Sequence, residues 1–132
     1  SGCKGKNGIH CLGCHSPETW NFNLGIDYQE QLNEIINKII SCQKIIKWIW
    51  IYGGEPLDQD LLELQDFLIK LKSTQKEILL FTRMELEEVP IEILSEINYI
   101  KTGFYDVNNL SNNYFSYGVK LASTNQKIIK VN

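Results

Sequence analysis

Three of the four cysteines, Cys3, Cys11 and Cys14, fall within twelve positions of one another in a stretch rich in Gly and Lys. Cys11 and Cys14 form a C-x2-C pair, followed at once by His15. Such a turn can aim two thiolates at one metal or cluster, and Cys3 is near enough to add a third. Three soft ligands with no fourth cysteine nearby describe a site with one open coordination position, and open positions go with chemistry more often than with structure. Three other readings compete. One is a structural zinc site made by Cys3, Cys11, Cys14 and His15. The others are a disulfide pair in a secreted protein, and ordinary buried thiols. Clustering this tight weighs against the last. Cys42 stands apart and reads as a small core residue. His10 and His15 read as loop residues that hydrogen-bond the backbone.

A second constellation is the turn Gly53-Gly54-Glu55-Pro56. Two glycines let the backbone approach a ligand and leave their carbonyls available as acceptors. Glu55 adds a fixed negative charge, so the turn suits a ligand ammonium group. The bland reading is a tight strand-to-helix connection.

The elements that must position these residues follow from periodicity. Residues 1–25 lack an apolar pattern and read as loop, with a short turn at 17–20. Asp27 and Glu30 frame a capping box that opens a helix over about 27–42, with Leu32, Ile35, Ile36, Ile39 and Ile40 on one face. Ile45 to Tyr52 is a near-continuous β-branched and aromatic run, which predicts a strand covered on both faces. Asp58 is the predicted cap of a second helix, over about 58–73. Strands are predicted at 77–82 and 98–104, with a third helix at 86–97 between them and a surface loop over 108–117. Val119 to Ala122 and Lys127 to Val131 read as two short strands of a hairpin. Alternating helix and strand implies parallel pairing with right-handed crossovers. The expected fold class is therefore α/β, a partial (β/α) barrel or open parallel sheet, in a single domain over residues 1–132. In such folds sites gather at the carboxyl ends of strands, where Gly53 to Pro56 would lie.

Composition sets the outer bounds. The chain has 132 residues, 43% hydrophobic and 22% charged, as in a soluble globular domain with one core. A net charge of −3 does not point to a nucleic-acid or anionic-membrane surface. No apolar run approaches the roughly 20 residues of a membrane span. No secretory leader is visible, so a cytoplasmic setting is expected, where thiols stay reduced and clustered cysteines mean metal or redox chemistry. The chain opens Ser-Gly-Cys. Metal loops normally hang from an element on each side, so a further strand is expected upstream of Ser1.

With both constellations in view, the sequence resembles the radical S-adenosylmethionine (SAM) enzymes, and within them the activating proteins of anaerobic (class III) ribonucleotide reductase. The resembling stretches are Ser-Gly-Cys at 1–3, Cys-Leu-Gly-Cys-His-Ser-Pro-Glu-Thr-Trp at 11–20, Gly-Gly-Glu-Pro at 53–56, Leu-Phe-Thr-Arg at 80–83 and Ser-Thr-Asn-Gln at 123–126. The second and third are specific. The others are individually weak. The resemblance implies that Cys3, Cys11 and Cys14 bind three irons of a 4Fe-4S cluster whose fourth iron is chelated by SAM. It implies that Gly53, Gly54 and Glu55 hold the SAM amino group, with Pro56 shaping the turn and Thr82 as a further contact. One electron would cleave SAM to methionine and a 5′-deoxyadenosyl radical, which takes hydrogen from a backbone glycine of the partner. The cofactor carries the hard step, so no protein acid–base pair is expected. The implied partners are the large subunit of anaerobic ribonucleotide reductase and a one-electron donor such as a flavodoxin or ferredoxin. An activase of another glycyl-radical enzyme, such as pyruvate formate-lyase, is the alternative within the class. A zinc-binding interaction module is the alternative outside it. The family's usual spacing is C-x3-C-x2-C. Here it is C-x7-C-x2-C, an extension whose closure cost is small.

Overall fold

The computed structural model describes all 132 residues. Its centre is a four-stranded sheet of β1 (Trp48–Ile51), β2 (Glu77–Phe81), β3 (Tyr99–Thr102) and, after a two-stranded excursion, β6 (Lys127–Lys130). The order is β1-β2-β3-β6. The first three strands run parallel, and β6 lies antiparallel beside β3. The excursion is a hairpin of β4 (Phe115–Ser116) and β5 (Val119–Lys120).

The helices are α1 (Tyr28–Ser41), α2 (Leu61–Lys72) and the single turn α3 (Ile91–Leu94). They pack on one face of the sheet. Leu64, Leu68 and Leu71 of α2 meet Ile78, Leu80 and Ile100 there, together with Ile39, Ile93 and Ile97. The opposite face is aromatic. Leu79, Tyr99 and Ile128 are covered by Val119 and Leu121, with Trp48, Phe81 and Tyr114 packed alongside.

Several expectations change in detail. The run Ile45 to Tyr52 yields a strand of only four residues, and as an edge strand it leaves Trp50 and Tyr52 exposed. The α2 cap is Asp60, whose carboxylate accepts from Leu62 N and Glu63 N; Asp58 lies in a 3-10 turn over Pro56–Asp58. Asp27 caps α1 through Gln29 N without a reciprocal bond from Glu30. Proline has no amide hydrogen to continue a helix. Pro90 accordingly divides the third helical stretch into a 3-10 turn at Leu86–Glu88 and α3. The predicted hairpin of 119–122 with 127–131 does not form. Each strand finds another partner: β5 pairs with β4, and β6 with β3, where Ile128 and Ile129 reach opposite faces of the core.

Candidate metal centre

The cysteine loop is fastened to the sheet at its two ends. Gly2 N donates to Thr19 O at 2.8 Å, and Cys3 N to Trp20 O at 3.2 Å, so the two ends of the loop lie side by side. Gly2 O then accepts from Glu55 N at 2.8 Å and from Gln59 Nε2 at 3.1 Å. Thr19 Oγ1 accepts from Gly54 N at 2.9 Å. The turn that follows β1 is thereby sewn to both ends of the loop. Only glycine fits at 54: its φ is +42°, and a Cβ there would lie 2.5 Å from Gly2 O.

Within the loop, Lys6 to Ile9 fold into a small reversal. Lys6 and Ile9 exchange backbone bonds of 2.9 and 3.0 Å around Asn7-Gly8, both with positive φ. Asn-Gly is the sequence signature of such a two-residue turn. The extension therefore loops out and returns, leaving Cys3 and Cys11 near each other. His10 stacks on Trp20 with ring centroids 4.0 Å apart and its Nε2 donates to Cys3 O at 2.7 Å. His15 tilts against Tyr105. Cys11 and Cys14 close a tight turn through Cys14 N and Cys11 O, 3.1 Å apart.

Cys3, Cys11 and Cys14 line one cleft of about 290 Å³ with Gly53, Gly54, Glu55, Thr82, Arg83 and Lys101. Trp20, Tyr52, Phe81 and Tyr105 supply its apolar walls. Cys42 is elsewhere, at the carboxyl end of α1, and all four cysteines are free thiols. Pro56 is buried beneath the turn and faces a second hollow of about 600 Å³ that contains none of the cysteines.

Glu55 is 1% exposed, and the protein itself engages its carboxylate. Oε1 accepts from Thr82 Oγ1 at 2.7 Å and Leu57 N at 3.2 Å, and Oε2 accepts from Arg83 N at 2.8 Å. Burial pushes its pKa up, against the pull of these donors. Thr82 thus stands behind Glu55, its hydroxyl also accepting from Met84 N. The carbonyls of Gly53 and Gly54 accept no hydrogen bond from the chain.

Two contributors escaped the sequence reading. Asp58 accepts from Lys4 N at 2.6 Å and from Arg83 Nη2 at 3.0 Å to each oxygen, tying the residue after Cys3 to the end of β2. An Asp ahead of a helical stripe looks like a cap, which hid this role. Lys101 was hidden because one charge in a short strand reads as a solvated face. It is buried, and its Nζ donates to Gly103 O at 2.6 Å.

The donor set fits an iron–sulfur cluster. Thiolates suit such clusters, and glycine-rich backbone surrounds the three here. No group of three or more His, Cys, Asp and Glu side chains is gathered around a single point. A four-iron cluster sets each thiolate on its own iron and takes them further apart. Burial raises the Cys3 pKa, while the Gly5 amide and the Arg83 guanidinium pull it down. Ligation therefore displaces a proton from this thiol.

No helix is long and apolar enough to cross a membrane. Comparison with curated proteins found no match, and comparison with solved structures found none either. Comparison with protein families found one that spans residues 1–129, nearly the whole chain and all of the cleft described above. The chain belongs to the family of 4Fe-4S single cluster domains.

Proposed function

We propose that this chain is a radical SAM activase that generates a glycyl radical on anaerobic ribonucleotide reductase. The observation that carries the reading is the junction at Gly2. It joins the three-cysteine loop to Gly53-Gly54-Glu55-Pro56 at the carboxyl end of a parallel strand, so that both line one cleft. The Gly53 and Gly54 carbonyls, free of the chain's own hydrogen bonds, stand beside the thiols and suit a ligand ammonium group.

Cys3, Cys11 and Cys14 would hold the cluster. When bound, it would supply one-electron reduction. The chain's own residues do the rest. The free carbonyls of Gly53 and Gly54 receive the SAM ammonium. Glu55, locked by Thr82 and the Arg83 amide, sets negative charge behind them and keeps the turn in shape. Trp20, Phe81 and Tyr105 would shield the reacting region from water. His10 and His15 pack against Trp20 and Tyr105. The resemblance supplies the partner reductase and a flavodoxin or ferredoxin as electron donor, and the reading places the chain in the cytoplasm, where thiols stay reduced.

The test is anaerobic reconstitution with iron and sulfide, followed by dithionite and SAM. Methionine and 5′-deoxyadenosine should appear in equal amounts. Adding the partner reductase should give a glycyl-radical signal by electron paramagnetic resonance. A fully loaded, reduced protein that leaves SAM intact would sink the reading. A radical on pyruvate formate-lyase in place of the reductase would move it to the sister activity.

A further inference from the structure

Lys101 breaks the pattern of its strand. Its neighbours Tyr99 and Ile100 are core residues on opposite faces, and Lys101 itself is only 8% exposed. Its Nζ has carbonyl partners alone: Gly103 O at 2.6 Å and Thr82 O at 3.5 Å. The ion pairs of the molecule are made by Lys70, Lys72 and Arg83, and none by Lys101. An ammonium taken out of water without an opposite charge is costly to keep. Burial lowers its pKa to about 8, while Glu55, Cys11 and Glu85 act in the other direction.

The side chain lines the same cleft as the three thiols. Arg83, the guanidinium in that cleft, is held by both oxygens of Asp58 at 3.0 Å and lies 3.9 Å from Glu55. Lys101 is therefore the cleft's strong cation without a carboxylate partner. A 4Fe-4S cluster held by three thiolates carries net negative charge, and taking up one electron adds to it. Nearby charge is one of the factors that set cluster potentials.

We propose that Lys101 is the charge-balancing residue of the cluster site, its buried ammonium holding the reduction potential up by favouring the reduced state over the oxidised one. It acts through the cluster and is a positioning residue. The proposal rests on the three-cysteine cluster and not on SAM chemistry, so the two readings fail separately.

The experiment compares wild type with Lys101→Gln, Lys101→Met and Lys101→Arg after anaerobic reconstitution, with no SAM present. Iron content is measured first. The midpoint potential is then found by titration with dithionite and mediators, read by electron paramagnetic resonance. Gln keeps an N–H for Gly103 O and removes the charge, Met removes both, and Arg keeps the charge. Equal iron in all four is expected, with Gln and Met shifted to more negative potential and Arg close to wild type. A Gln variant that titrates with wild type overturns the proposal whatever Met does, and so does an Arg variant that shifts with the neutral ones. If both neutral variants lose iron, retention by Arg supports the role of charge. Loss from all three assigns Lys101 to packing and overturns it.

Discussion

Glu55 and Lys101 line the same cleft, and burial drives both toward their neutral forms. Glu55 has three donors to offset this, while Lys101 has two carbonyls. The consequence for stability has a definite sign. The folded pKa of Lys101 is about 8, below the 10.5 of an unfolded lysine. Between those values the unfolded chain holds a proton that the folded chain has released, so the cluster-free protein gains stability as pH rises through the window. The gain is fully present above the unfolded value and lost as pH falls through the folded one, and its upper size is about 3 kcal/mol. We expect cluster-free Lys101→Met to melt above wild type at pH 7. The gap should shrink as pH rises from about 8 to 10.5. Circular-dichroism melts across that range check it, and a gap independent of pH would count against a buried charge. At this scale the clustered cysteines stood out by spacing alone, and the structure brings three of them to one cleft with the Gly-Gly turn, which by itself reads equally as a tight strand-to-helix connection. Lys101 did not stand out. Its meaning comes from burial, which pairing with β2 and β6 on either side of β3 imposes and a short strand pattern does not announce.

At the scale of elements, the helical stripes and the apolar runs were readable, and the residues that end or join them less so. Asp58 and Asp60 illustrate the difference. Both precede the apolar stripe of α2, and sequence cannot say which one turns inward. Asp60→Ala should remove two cap bonds, to Leu62 N at 2.9 Å and Glu63 N at 3.1 Å. The cost should be about 1 kcal/mol. Iron content after reconstitution should stay at the wild-type level, because α2 reaches the site only through its packing. Asp58→Ala should leave the Arg83 guanidinium and Lys4 N without their carboxylate. We expect a cost of about 2–3 kcal/mol, below that of a fully buried pair because Arg83 retains some contact with water. Iron content should fall with it. Denaturation and iron assay on the two variants together check the assignment, and the reverse ranking would return the capping role to Asp58. The hairpin expected at the carboxyl end failed for a related reason. Strand pairing is decided by which edge is open, and β3 offers β6 a core-facing edge that the neighbouring β5 cannot match with two residues.

The molecule as a whole divides its labour between the two faces and one edge of the sheet. The helical face supplies the core, the aromatic face is roofed by β4 and β5, and the cysteine loop hangs over the carboxyl ends of the strands from a few backbone bonds. Stability and site are therefore separable, and Gly54 is where to separate them. An alanine Cβ would stand 2.5 Å from Gly2 O, in a backbone conformation that alanine adopts only with strain. The bonds from Glu55 N and Gln59 Nε2 to that oxygen would open, and the loop would lose its hold on the turn. The core has no part in those contacts, so a strain of about 1–2 kcal/mol should lower the melting temperature by only roughly 3–6 °C. Amide exchange should quicken at Glu55, Gly2 and Cys3 while Leu79, Leu80 and Ile100 keep their protection. Reconstituted iron should drop below wild type, because three thiols on a loosened loop must be ordered at the expense of binding. Iron content and hydrogen exchange measured on one Gly54→Ala preparation decide the matter. If iron loads normally and the loop amides exchange as before, the junction at Gly2 is a crossing of two chains and not the hinge on which the site depends.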